Sequence, residues 1–208
     1  MTKKNIEVFN RLKKIYPEAK TALNFSTPWQ MLVSTILSAQ CTDKRVNIIT
    51  GKLFSDYPDI NDYANMNREK LENYIRSAGF YRNKAKNILN AARKIIKDHN
   101  GRVPGNMEEL VKLPGVARKT ANVVLANSFN KAEGIAVDTH VKRLSYRLGL
   151  TEKKSPEKIE KDLMKDYPKE NWTDLTYLLI EHGRNICKSR RPLCQKCSLE
   201  SLCPKKGL

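Results

Sequence analysis

Apolar residues return at three- and four-residue intervals along most of the chain, and each such run is bracketed by residue types that start or stop helices. Thr27-Pro28-Trp29-Gln30 supplies an N-cap, a proline at the first helical position and a capping-box partner, and Met31, Leu32, Ile36 and Leu37 then follow at helical spacing. Asp43 is placed to cap a second helix bearing Val46, Ile49 and Leu53, which stops before Pro58. A third run, Leu71, Tyr74, Ile75 and Ala78, ends at Gly79, the residue type that best tolerates a left-handed helix cap. A fourth, Ala85, Ile88, Leu89, Ala92, Ile95 and Ile96, meets Asn100-Gly101. Asn106 and Glu109 form another capping-box pair before a short helix, and a longer helix spans Arg118 to Phe129. Asp138 caps the next, which ends near Gly149; Ser155-Pro156 opens one more, and Asn171 the last long one. No stretch alternates apolar and polar residues as a strand does. The expected fold class is therefore all-α, with about ten helices on short connections.

Charge changes the picture first. The 208 residues carry 39 Lys and Arg against 22 Asp and Glu, a formal charge of +17, and the cations run from Lys3 to Lys206 instead of gathering in a tail. That is the profile of a polyanion binder. The N-terminus has no apolar core of signal-peptide length, and no window approaches the roughly 18 apolar residues of a membrane span, so a cytoplasmic protein with no membrane partner is expected. Repeats and low-complexity runs are absent, which leaves domain boundaries invisible to composition.

Cysteine usage adds candidate chemistry. Cys187, Cys194, Cys197 and Cys203 crowd the C-terminus, while Cys41 stands alone and reads as a buried helical thiol. In a reducing compartment such a cluster suggests metal rather than disulfides. A zinc ribbon pairs two C-x₂-C knuckles across a longer spacer, and only Cys194–Cys197 forms one here. A cubane iron-sulfur cluster accepts four thiolates at irregular loop spacing, so the intervals lean toward iron-sulfur and leave zinc open.

The stretch LPGVARKTANVVL, residues 113 to 125, raises a second possibility. Leu113 and Val116 are apolar anchors on either side of Pro114-Gly115, fastening a turn whose backbone faces outward. Amides at the start of the helix from Arg118 lack internal acceptors and lie at the positive end of the helix dipole, a ready phosphate site. With no base-specific group present, such a contact is blind to sequence.

LPGVARKTA, together with VDTHVKR from Val137, resembles the hairpin and the Gly/Pro-rich loop with its aspartate in the helix-hairpin-helix DNA repair glycosylases. LSAQCTD at Leu37 to Asp43, AGFYRNKA at Ala78 to Ala85 and the four C-terminal cysteines are similar to the endonuclease III branch of that superfamily in particular. The resemblance spans nearly the whole chain. One position departs: the family usually has a second glycine where this chain has Ala117, and alanine keeps the amide while losing cheap access to positive φ.

The resemblance implies a base-excision-repair enzyme, a DNA glycosylase with AP lyase activity that removes oxidised pyrimidines from duplex DNA. It implies Lys119 as the amine that attacks C1′ and forms a Schiff base, with β-elimination breaking the strand, and Asp138 as the essential aspartate. Asp138 is also expected to cap its helix. The resemblance further implies a 4Fe-4S cluster on Cys187, Cys194, Cys197 and Cys203, presenting Lys188, Arg190 and Arg191 to a DNA backbone. Gln40 and Phe80 look like the residues that enter the duplex when the damaged nucleotide is flipped out, and Lys84 like a backbone contact. Leu113, Gly115, Val116, Ala117 and Arg118 make up the DNA-gripping hairpin, and His140 is expected as a structural or phosphate contact rather than a base.

Two helical lobes with a DNA cleft between them are implied: a six-helix domain over residues 21–132 holding the hairpin, and a cluster domain from residues 1–20 and 133–208. The partner is double-stranded DNA containing damaged pyrimidines or abasic sites, and the protein is expected as a nucleoid-associated monomer. A monofunctional adenine- or thymine-mismatch glycosylase and a non-enzymatic DNA-binding module remain as alternatives; strand incision at an abasic site separates them from the lyase.

Overall fold

The computed structural model describes residues 2–208, which form eleven α-helices and, among the described residues, no strand. They are α1 (Lys3–Ile15), α2 (Pro28–Ser38), α3 (Asp43–Asp56), α4 (Ile60–Ala64), α5 (Arg68–Ile75), α6 (Tyr81–His99), α7 (Met107–Leu110), α8 (Arg118–Phe129), α9 (Thr139–Arg147), α10 (Pro156–Asp166) and α11 (Trp172–Asn185). The chain divides into two compact units. One is Ala22–Glu133, holding α2 to α8; the other joins the N-terminal segment ending at Thr21 to Gly134–Leu208.

In the first unit α2 is the central helix. Every residue from Trp29 to Leu37 is buried, as expected of a helix enclosed on all sides, and α3, α6 and α8 pack around it. Leu71 and Ile75 of α5, and Ile88, Ala92 and Ile95 of α6, complete this core. In the second unit α11 packs against α1 and α9, and Val8, Leu12, Leu144, Leu163, Leu175 and Leu178 form a separate core that also takes in Leu199 from the cysteine-bearing C-terminus.

Most helix starts follow the sequence signals, with instructive shifts. Thr27 Oγ1 accepts from the Gln30 amide at 3.2 Å, but Gln30 Oε1 accepts in return from the Ser26 amide at 2.8 Å, one residue beyond a standard capping box. The cap of α3 is Thr42, not Asp43: Thr42 has the extended backbone and its side chain accepts from the Arg45 amide, which leaves Asp43 as the first helical residue. Helix α5 ends at Ile75, and the next left-handed residue is Phe80, at φ 57°, not Gly79. Asn106 caps α7 by accepting from the Glu109 amide, while the Glu109 carboxylate turns to Lys112 instead of completing the box. Asn100 and Gly101, at φ 51° and 76°, end α6 as their residue types suggest. Ser155 opens α10 without a side-chain capping bond, and α11 is entered through a 3₁₀ turn at Lys169–Asn171. Among the described residues no helix is long and apolar enough to cross a membrane.

Candidate active site and cysteine loop

The hairpin is α7, a tight turn and α8. The Val116 amide donates to the Leu113 carbonyl at 3.1 Å with Gly115 at φ 78°, so Pro114 and Gly115 are the two central residues of a type II turn. Proline suits the first because its φ is fixed near the required value, and glycine the second because φ must be positive. Packing adds a further demand: a Cβ on Gly115 would lie 2.8 Å from Asn87 Cβ on α6. Leu113 and Val116 are buried, so these two contribute backbone and anchorage while their side chains face the core. Ala117 lies at φ −90°, ψ 169°, an extended conformation open to any residue, so the missing second glycine costs the turn nothing. No side chain caps α8. The positive end of its helix dipole lies beside exposed Arg118 and Lys119, which favours an anion there.

Asp138 caps α9, its Oδ1 accepting from the Val141 amide at 2.8 Å. In the first turn of that helix, His140 Nδ1 lies 3.1 Å from Arg143 Nη2. Burial pushes the His140 imidazole below its usual range, with nearby Asp138 opposing.

Gln40 and Phe80 are both exposed, Phe80 at 64%, and both take positive φ, 53° and 57°. For a residue with a Cβ that conformation costs about 1 kcal/mol, so each is held by its surroundings. Lys84, expected as a surface cation, is instead buried at 5% exposure, its Nζ donating to the carbonyls of Leu37 at 2.9 Å and Ala39 at 2.6 Å. It is an internal clamp and offers nothing to a phosphate. Burial pulls its ammonium down from the ordinary lysine range, with nearby Cys41 opposing. Cys41 is half-buried and sits in the turn after α2, not in a helix.

Cys187, Cys194, Cys197 and Cys203 line one pocket, with Leu144, Leu148, Ile186 and Leu193 among its walls. Burial raises the Cys197 and Cys203 thiols. Two arginines of α9 hold the loop from beneath: Arg143 Nε and Nη2 donate to the Cys187 carbonyl, and Arg147 donates to the Lys188 and Ser189 carbonyls at 2.7 and 3.0 Å. Lys188, Arg190 and Arg191 are thereby left exposed on the loop, Arg191 at φ 52°. On the inner side His182 Nε2 lies 3.3 Å from Cys197 Sγ, and its Nδ1 lies 3.2 Å from the Tyr16 hydroxyl. Burial lowers His182 to about 4. Arg143, Arg147, His182 and Tyr16 were not legible as site residues. Each looks like an ordinary helix residue until tertiary contacts aim it at the loop.

The HhH-GPD superfamily of base excision DNA repair proteins matches this chain over residues 33–169. Endonuclease III of Synechocystis sp. (strain ATCC 27184 / PCC 6803 / Kazusa) is 56% identical over 95% of this chain and 90% of its own length. Endonuclease III of Bacillus subtilis (strain 168) is 46% identical over 96% of this chain and 94% of its own. The solved structure of a trapped endonuclease III–DNA covalent intermediate superposes with a TM-score of 0.93 at 44% identity, covering 99% of this chain and 97% of that one. With the Pro-Gly hairpin, the capping aspartate and the four-cysteine pocket each in place, this chain belongs to the endonuclease III family of helix-hairpin-helix base excision DNA repair proteins.

Proposed function

We propose that this DNA glycosylase/AP lyase removes oxidised pyrimidines from duplex DNA and cuts the strand 3′ to the abasic site, with Lys119 as nucleophile and Asp138 as its carboxylate partner. The observation that carries the reading is an exposed lysine in the first turn of α8, directly behind a type II Pro-Gly turn whose amides suit a phosphate. The hairpin grips the backbone near a lesion without reading sequence, which positions the sugar instead of choosing the base.

In the first step the uncharged Lys119 amine attacks C1′, the bond from C1′ to the base breaks, and the base departs with the bonding pair. Asp138 accepts the proton released from the amine or steadies positive charge developing on the sugar. Ring opening leaves a Schiff base between Nζ and C1′. Loss of a C2′ proton then breaks the C3′–O bond, and the 3′ phosphate leaves. The flipped-out nucleotide vacates a space in the duplex, and exposed Gln40 and Phe80 have the exposure and the donor, acceptor and ring chemistry to fill it. The partner is double-stranded DNA bearing damaged pyrimidines or abasic sites, and the enzyme works as a monomer.

The four-cysteine pocket fits a 4Fe-4S cluster. All four thiols line it, and a cubane takes one thiolate on each of its four irons. The positive irons would also draw down the thiols that burial raises. When bound, the cluster supplies a cross-link that fixes the Lys188–Arg191 loop against a DNA backbone.

The test is the variant Lys119→Gln. It is expected to bind duplex carrying an abasic site as the parent does, to lose borohydride-trapped covalent complex and to lose strand incision. Undiminished trapping by that variant would falsify the Schiff-base assignment.

A further inference from the structure

Lys84 has no part in the chemistry above, yet the fold buries its charge and gives its ammonium to two backbone carbonyls. Those carbonyls close α2, whose last residues lose their helical partners there. Directly after α2 the chain makes a second type II turn. The Cys41 amide donates to the Ser38 carbonyl at 3.1 Å, Ala39 lies at φ −58°, ψ 114°, and Gln40 at φ 53°. The third position of such a turn wants glycine or asparagine, because φ there is positive. Glutamine is strained in it.

Type I and type II turns share their ends and differ by a flip of the central peptide. In Ser38–Cys41 the carbonyl of that peptide belongs to Ala39, and it receives the shorter of Lys84's two bonds, 2.6 Å. Without a donor there, flipping to type I would return Gln40 to negative φ and turn the Ala39 carbonyl to the other face. Lys84 is also fastened to the neighbouring segment. Its own amide donates to the carbonyl of Phe80 at 3.1 Å, and a Cβ on Gly79 would lie 3.4 Å from the Gln40 carbonyl oxygen. One residue thus ties together two left-handed turns that carry the exposed side chains of Gln40 and Phe80.

We infer that Lys84 is a positioning residue: its ammonium locks the Ala39–Gln40 peptide in the flipped state and so sets the direction in which Gln40 leaves the backbone toward the duplex. This rests on the reading of Gln40 as a residue that occupies the space of the extruded nucleotide. Lys84→Met keeps the buried stem and removes the donor.

The experiment is a cycle of Lys84→Met, Gln40→Ala and the double variant, read as single-turnover excision from a thymine-glycol duplex and as affinity for undamaged duplex. Lys84→Met is expected to slow excision about tenfold while undamaged-duplex affinity stays within about twofold, and to add less than about twofold in the Gln40→Ala background, the non-additivity of residues acting as one unit. Losses that multiply, or affinity for undamaged duplex falling in step with the rate, overturn the inference. Wild-type excision by Gln40→Ala alone removes the reading of Gln40 and the clamp with it, whereas a slow Gln40→Ala with multiplying losses removes only the clamp. Should Lys84→Met fail to fold, Lys84→Met with Gln40→Gly decides, since glycine holds positive φ without a clamp. That variant folds if Lys84 serves the turn, and its remaining unfolded refutes the inference.

Discussion

At the scale of single residues, positions 115 and 117 differ by two places in sequence and by everything in conformation. Gly115 is required twice over, by φ 78° and by Asn87 Cβ, while Ala117 is extended and free to carry a side chain. Gly115→Ala combines left-handed strain with an overlap against α6, about 2 kcal/mol together, which for a chain of this size lowers the thermal midpoint by about 4–8 °C. Ala117→Gly, measured in the same calorimetric scan, is expected to move it by less than about 2 °C. Asn87→Ala does not rescue Gly115→Ala, because the nearest atom is the Cβ that alanine retains. Lys84 teaches the complementary lesson. A lysine letter carries no record of where its ammonium ends, and here it ends on two carbonyls in the interior.

At the scale of elements, helix starts are set by competition between neighbours of equal propensity. Thr42 and Asp43 are both good N-caps. The preceding turn at Ser38–Cys41 delivers Thr42 with extended backbone, φ −73°, ψ 146°, so the hydroxyl and not the carboxylate meets the Arg45 amide. Thr42→Ala is therefore expected to cost about 1 kcal/mol, the usual loss of a cap. Asp43→Ala is expected to cost less, about 0.3–1 kcal/mol for a half-buried carboxylate in the first turn of a helix. Urea unfolding of the two variants side by side checks the order, and a larger loss for Asp43→Ala contradicts it. The same turn serves two masters, since it also aims Gln40.

At the scale of the whole molecule, two units with separate cores serve different ends. Ala22–Glu133 carries the hairpin, Lys119 and the Gln40 and Phe80 turns on an apolar core of its own. The other unit closes on a pocket of four cysteines, with Arg143 and Arg147 bonded to the loop backbone. Removal of the proposed iron-sulfur cluster is expected to expose the amides of Cys187–Cys203 to hydrogen exchange while α2, α6 and α8 keep their protection. Equal loss of protection in both units would show that the cluster supports the entire chain instead of its own loop.

Helical periodicity, the caps at Thr27 and Asp138, the Pro-Gly turn and the cysteine intervals were all determined by the sequence alone, because each depends on residues within one or two turns of one another. Spacing of this kind is local physics, and it suffices for the fold class and for the hairpin. Tertiary structure decided what depends on distant partners: that Lys84 is buried against the end of α2, that Thr42 displaces Asp43 as cap, and that Phe80 rather than Gly79 takes the left-handed position. It also decided that Tyr16, His182, Arg143 and Arg147 converge on the cysteine loop. A hydrogen bond spanning 47 residues, like that from Lys84 to Leu37, leaves no mark in local pattern, because packing of whole helices is what brings its two ends together.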